Sequence, residues 1–283
     1  DGPTVDTVKW GDERQPVSGI VCTFMCTVPV IKRAKSLGCD LIITHEPTFF
    51  DHEDEADAED EVVRAKEALL RGFGALAVWR WHDRCHWCSG LFPVTGRDTI
   101  SDSFARAMGW QAYRRGTTDY WQQNRFDVPP CTLGRLARRI QEALRIPERA
   151  VRIAGDLGAT FSRISLALGA AGDLALQELR AGEADVIVAG EADEWRLPEY
   201  VRDACELGLP KGLVLLGHRN SEEHGMGRLA EWLRARFGSR CPAGVHFVQS
   251  LDPFSSLSAA ETAATAASEA AAPGEAAEWA RVD

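Results

Sequence analysis

Three short segments of the chain carry side chains of the kinds that hold cations. In "DLIITHEPTFF" an apolar run that follows Asp40 stops on His45 and Glu46, two groups that are costly to bury without a partner. In "WRWHDRCH" His82 and His86 stand four residues apart, so a helical turn there would place both imidazoles on one face. In "GHRNSEE" a strand closes on His218, and Glu222 falls in the opening turn of the next helix. Each segment alone has an ordinary explanation. Pro47 could fix a simple turn, Trp79, Trp81 and Trp87 could pack an aromatic corner, and Ser221 with Glu222 could merely cap a helix and match its dipole. Together, though, they supply four imidazoles and two carboxylates, a donor set sufficient for two divalent ions, with zinc, iron or manganese the leading candidates.

The elements that would position these groups follow from the periodicity. Short apolar runs alternate with amphipathic stretches: strands over Val17 to Phe24, Asp40 to Thr44 and Ala75 to Trp81, with helices over Val28 to Gly38 and Glu59 to Gly74. From Leu91 to Pro130 the pattern is irregular, apart from a helix at Ser101 to Met108. A second series then runs from a helix at Cys131 to Leu144, capped by Thr132, through strands at Arg163 to Gly169, Asp185 to Glu191 and Gly212 to His218. Helices near Leu174 to Ala181 and Leu197 to Leu207 separate them, and a helix from Glu222 to Gly238 precedes a strand around Val245 to Gln249. This alternation predicts an α/β architecture with covered sheets. Of the 7 histidines, His45, His82, His86, His218 and His224 fall near the carboxyl ends of predicted strands, where open α/β sheets bind ligands.

Other features frame this reading. "CHWC" gives Cys85 and Cys88 a redox-like or zinc-like spacing, but no second cysteine pair accompanies it; thiolate ligation beside the histidines stays open. "VAGEADEWR" ends a strand with Glu191, Asp193 and Glu194, groups that could orient imidazoles or accept a proton. Glu194 and Glu191 are the candidate catalytic proton shuttles. A formal charge of −10 argues against nucleic acid as a partner. The cysteines are scattered through a chain too large to need stapling, which predicts free thiols and a cytoplasmic setting. No apolar run is long enough to span a membrane. The sequence starts at Asp1 without a methionine, so an export signal further upstream would go unseen. Residues 1–100 with 185–254 are expected to form the metal-site lobes, 101–184 a connection and second-lobe elements, and 255–283, rich in alanine, glutamate and serine, a disordered tail.

The same residues resemble the dinuclear metal-centre proteins known as GTP cyclohydrolase 1 type 2 homologs, or Nif-three-like proteins. The likeness runs through "VDTVKWGD", "VSGIVCTFMCTVPVIKRAKSLGCDLIITHEP", "VWRWHDRCH", "ADVIVAGEADEWR" and "GLVLLGHRNSEE". Glu46 stands where that pattern has the second histidine of a pair, and His86 stands where it has an aspartate. The two departures conserve four imidazoles and two carboxylates, but change which carboxylate could bridge. The resemblance implies two related α/β lobes with mixed sheets flanked by helices, an ion pair between the lobes, and a ring-shaped homohexamer with sites facing inward, for which some of the 9 tryptophans would be anchors. It also implies a metal-dependent hydrolase, since paired divalent ions supply a nucleophile at neutral pH and polarise the group attacked. A purine ring carbon, a phosphoester or an amide could be the target of a small-molecule or nucleotide substrate. No phosphate-cradling glycine loop is present, leaving Arg80, Arg84 or Arg196 for any phosphate. A noncatalytic metal-binding ring acting as a regulator is the competing expectation.

Overall fold

The computed structural model describes residues 3–86, 98–115 and 124–255. Trp87 and Cys88, and with Cys88 the paired-cysteine reading, lie outside the described residues, as does the alanine-rich tail. Residues 1–250 form one compact unit.

The chain opens with β1 (Val8–Trp10) and β2 (Gly19–Met25), then α1 (Val28–Ser36), β3 (Leu41–Glu46), α2 (Glu61–Arg71), β4 (Ala77–Arg80) and the short α3 (Asp83–His86). Local chemistry sets these boundaries. Thr27 caps α1 through the Val30 N–H, and Asp60 caps α2 by accepting from Val62 and Val63 at 2.7 and 2.9 Å. Parallel pairing places β3 between β2 and β4. Helices cover both faces of this sheet, which is why "LIIT" is apolar without alternation. One face packs on Val30, Ile31 and Leu70 of α1 and α2. The other packs on Met226, Leu229 and Leu233 of the long α8 (His218–Phe237).

Between these come α4 (Thr99–Met108), β5 (Arg114–Arg115), β6 (Arg125–Thr132), α5 (Leu133–Leu144), β7 (Arg152–Ala154), β8 (Thr160–Ala167), α6 (Leu174–Arg180), β9 (Val186–Ala189), α7 (Leu197–Glu206) and β10 (Gly212–Leu215), with β11 (Gly244–Phe247) closing the fold. The described strands form a 5-stranded sheet in the order β1-β4-β3-β2-β11 and a 6-stranded sheet in the order β5-β6-β8-β9-β10-β7. Both are mixed, and helices flank both. The second sheet packs α6 and α7 on one face and α5 on the other.

The lobes repeat one plan. An antiparallel edge strand (β1 or β7) precedes three parallel strands joined by two helices, and the third strand leads into a helix carrying ligand-type residues. The sheet orders β1-β4-β3-β2 and β7-β10-β9-β8 coincide. Trp81 N–H bonds the Thr44 carbonyl at 2.8 Å just as Leu216 N–H bonds that of Ala189 at 3.0 Å, so the strand ends correspond closely.

Several expected boundaries differ. The segment read as irregular contains β5 and β6. In β6, Pro129 and Pro130 imitate a turn in sequence but sit at a register shift between Asp127 and Cys131, beyond the reach of β5, a position where a sheet tolerates proline. Helix α8 begins at His218 rather than Glu222, because Gly217 turns the chain at φ 83° and Asn220 donates back to the Leu216 carbonyl at 2.7 Å. No described helix is long and apolar enough to cross a membrane.

Candidate metal centre

Both sheets send the ends of parallel strands to one place. β3 delivers His45 and Glu46 in its last two positions. The turn after β4 delivers His82 and, one helical turn on, His86. From the other sheet, the turn after β10 delivers His218 and, again one helical turn on, Glu222. Adjacent residues on an extended strand would normally diverge, but β3 ends here and Glu46 swings back toward the cluster.

All six candidate ligands converge. Glu46 Oε1 lies 3.8 Å from His45 Nε2, 3.8 Å from His82 Nε2 and 3.4 Å from His218 Nε2. Glu222 Oε2 lies 3.0 Å from His218 Nε2 and 3.3 Å from His45 Nε2. The rings of His45, His82 and His86 sit with centroids 4.8 to 5.1 Å apart. Two overlapping donor triads result, His45–His82–His86 and His45–Glu46–Glu222, each with ligand atoms within 4.8 Å of one another.

A second shell of oxygens holds the rings. His45 Nδ1 is 3.2 Å from the Trp81 carbonyl, His82 Nδ1 3.0 Å from Asp83, His86 Nδ1 2.9 Å from Asp98 and His218 Nδ1 3.0 Å from Glu191. A carbonyl can only accept, so His45 carries its proton on Nδ1 and turns the Nε2 lone pair inward. The other three follow the same pattern, which is how imidazoles are oriented for metal binding. Asp83 and Asp98 had a signal in the sequence, an aspartate beside a histidine and one preceding a helix, but not one that named their partners.

Support extends further out. Asp6 accepts from the backbone N–H groups of His82, Asp83 and Arg84 at 2.6, 2.9 and 2.8 Å, acting as a cap for α3 supplied from 76 or more residues away. Behind Glu222, Gly169 at φ 62° leaves no room for a Cβ, which would collide with the Glu222 carboxylate. Its N–H bonds Ser221 Oγ at 3.0 Å, and that hydroxyl donates to the His218 carbonyl at 2.7 Å.

The electrostatics are those of a cluster of opposed charges. Burial raises Glu46, yet the His218 bond and the charges of His45 and His218 outweigh it and bring the carboxyl to about 2. Burial likewise opposes ionisation of Glu222, but His218 and His45 hold it well below its usual range. His82 falls to about 4 through burial and the neighbouring His45 and His86. His86 and His218 rise against burial, to about 9 beside Asp98 and to about 11 between Glu222 and Glu46. Even so, His45 Nε2 and Glu222 Oε2, 3.3 Å apart, are buried polar atoms that make no hydrogen bond within the protein. Such atoms are rare and costly in a folded chain. A cation coordinated at that point would satisfy both, so the donor set fits divalent metal.

The remaining candidates lie elsewhere. Glu194 pairs with Arg152 at 2.5 Å on the surface. His224 lies on α8 with its pKa lowered by burial, and neither triad includes it. Arg80 is buried, bonds the carbonyls of His45 and His52, and sets its Nη2 4.0 Å from Glu46 Oε2. Arg196 pairs with Asp173 and Asp193. Cys85 is buried, with Sγ 3.4 Å from His45 Nδ1 and donating to the His82 carbonyl at 2.8 Å, on the side of the ring away from the cluster. Among the described residues the cysteines are free thiols.

Comparison with known proteins finds relatives in both sequence and fold. The chain is 24% identical over 261 residues to a GTP cyclohydrolase 1 type 2 homolog of Clostridium perfringens, an alignment covering 86% of this chain and 88% of the relative. Among solved structures, Staphylococcus aureus protein SA1388 superposes with a TM-score of 0.63 at 19% identity, covering 89% of this chain and 91% of that one. A Bacillus cereus protein related to NIF3 superposes with a TM-score of 0.62 at 16% identity over 90% of this chain and 94% of that one. These neighbours share the fold. Residues 7–76 and 96–253 match the model of the Duf34/NIF3 (NGG1p interacting factor 3) family, and the chain belongs to that family.

Proposed function

We propose that this protein binds two divalent metal ions per chain, through His45, Glu46, His82, His86, His218 and Glu222, and acts as a metal-dependent hydrolase on a small-molecule substrate. The observation that carries the reading is the pair of buried atoms that make no hydrogen bond, His45 Nε2 and Glu222 Oε2, inside a ring of four imidazoles and two carboxylates. Zinc, iron and manganese suit these donors. Bound there, the ions would supply Lewis acidity and a nucleophile at neutral pH.

The protein's own residues have separable parts in this reading. His45 belongs to both triads, but one imidazole nitrogen cannot serve two ions, whereas a carboxylate can. Glu46 Oε1 lies near imidazoles of both lobes, as Glu222 Oε2 does, and Glu46 is our candidate for the shared carboxylate. Glu191, half exposed beside His218, is placed to pass a proton to solvent; Glu194 is committed to Arg152.

Assembly into a homohexamer follows from the family resemblance, and the exposed Trp195, Leu207 and Leu209 offer apolar surface for subunit contacts. The test is to measure metal content and mass in solution of the native protein. Zinc-, manganese- and iron-loaded samples are then screened on nucleotide, phosphoester and amide substrates against a Glu222→Ala control. Turnover that requires bound metal and is lost in the variant supports the hydrolase; turnover unchanged by Glu222→Ala would rule it out.

A further inference from the structure

One side of the candidate metal centre opens into a narrow cleft, with about 30 Å3 of space inside its walls, that continues outward to solvent. His86 and Glu222 are among the residues that line it, so anything seated there lies against the candidate ligands. Leu166, Leu168 and Leu174 from the second lobe provide an apolar wall. Asn124, just ahead of β6, lines the cleft too, at 5% exposure, and its Oδ1 is a buried acceptor with no partner. The fold leaves this oxygen unsatisfied although burying an acceptor without a donor is unfavourable.

The polar groups of the cleft share one bias. Asp98 accepts from the Ser101 N–H at 2.8 Å and pairs with His86, and Glu222 brings a second carboxylate to the lining. Among the described lining residues none is lysine or arginine. An anionic group seated beside Asn124 would face a carbonyl oxygen and the Asp98 carboxylate, and among the described lining residues His86, with any bound ion, is what could meet its charge. A neutral group carrying an N–H would instead complete Asn124 and rest its hydrocarbon part on the leucines.

We propose that this cleft is the substrate recess of the metal centre and that Asn124 is its specificity-determining residue, accepting a hydrogen bond from the N–H of a carboxamide or lactam substrate. The inference rests on the hydrolase reading above and deepens it. Of the three target chemistries, it selects a carbon–nitrogen bond flanked by N–H over a phosphoester. Recognition by a buried acceptor is selective because an analogue lacking the donor leaves the oxygen unpaired.

The test uses the zinc-loaded full chain and two small probes of nearly the same shape, acetamide and methyl acetate, titrated by ligand-observed NMR. Asn124→Leu is expected to weaken acetamide by about tenfold while leaving methyl acetate, zinc content and thermal midpoint unchanged. Asn124→Asp, which keeps an acceptor and adds a charge, is expected to favour acetamidinium over acetamide. Acetamide binding unchanged by Asn124→Leu, or methyl acetate weakened as much as acetamide, would overturn the assignment. Zinc content of the same samples separates the two readings: an absence of bound zinc refutes the metal centre, while dependence of acetamide binding on Asn124 is still read directly.

Discussion

In the proposed metal centre Glu46 would hold an ion and Asp98 would aim a ligand, and each role can be broken separately. Glu46→Gln keeps the shape but removes the charge proposed to be shared between the ions, so metal content is expected to fall by about half or more, read by elemental analysis after dialysis. Glu46→His returns an imidazole to that position, and without a carboxylate there it should weaken magnetic coupling between two manganese ions in electron paramagnetic resonance. Asp98→Asn acts at one remove. Asparagine caps α4 nearly as well as aspartate, so folding should be spared, but the charge behind His86 is lost and cation affinity should drop roughly 10–100-fold, measured by competition with a chromophoric chelator. The six candidate ligands were legible because strand ends and i, i+4 spacing are written in sequence. Their supports were not. Asp6 reaches α3 across 76 to 78 residues, and the room that Glu222 needs is made by the missing side chain of Gly169; neither dependence leaves a local pattern.

At the level of elements, α3 is too short to be stable by its own hydrogen bonds, since nucleating a helical turn is unfavourable. Asp6 supplies what it lacks by accepting three backbone N–H groups at its start. Asp6→Ala is therefore expected to cost about 1–2 kcal/mol, seen as a lower urea midpoint, and to weaken metal binding because both His82 and His86 ride on that turn. In the other lobe Asp185 ties the entrances of three parallel strands, accepting from Arg163 at 2.7 and 2.9 Å and from Lys211 at 3.3 Å. Partial burial would raise its pKa, but the Arg163 and Lys211 bonds prevail and hold it below the usual range. A carboxyl depressed in the folded state stabilises fully above its unfolded pKa of about 4 and loses that contribution as pH falls through the folded value. Asp185→Asn should thus be less stable than the parent by about 1 kcal/mol at neutral pH, with the gap closing below about pH 4; equal gaps at pH 7 and pH 3 would refute it. Strands such as β2, β3, β8 and β9 could be read from their apolar runs, whereas β1 and β7, with 3 residues each, exist only because a neighbouring strand offers them an edge.

For the whole molecule, the repeated plan of the two lobes explains why the candidate metal centre sits where it does. Each lobe alone turns a strand end and a helix start toward its partner, and neither offers a complete donor set: His45, Glu46, His82 and His86 come from the first sheet, His218 and Glu222 from the end of a strand in the second. The repeat is hidden in sequence, because the lobes share strand order and helix placement but not the residues that fill them. Helix α8 couples them mechanically, starting from β10 of the second sheet and packing its length on β2 and β11 of the first. Cations bound at its first turn would fasten both lobes to one point and bind only the folded arrangement. At metal concentrations about 100-fold above Kd, that linkage adds ~2.7 kcal/mol. For a chain of this length it corresponds to a rise in Tm of about 5–10 °C. Chelation should remove the rise in the parent protein and have a clearly smaller effect in Glu222→Ala, which keeps the His45–His82–His86 triad, and differential scanning calorimetry of the four samples separates metal bound at this junction from metal held loosely elsewhere on an acidic surface.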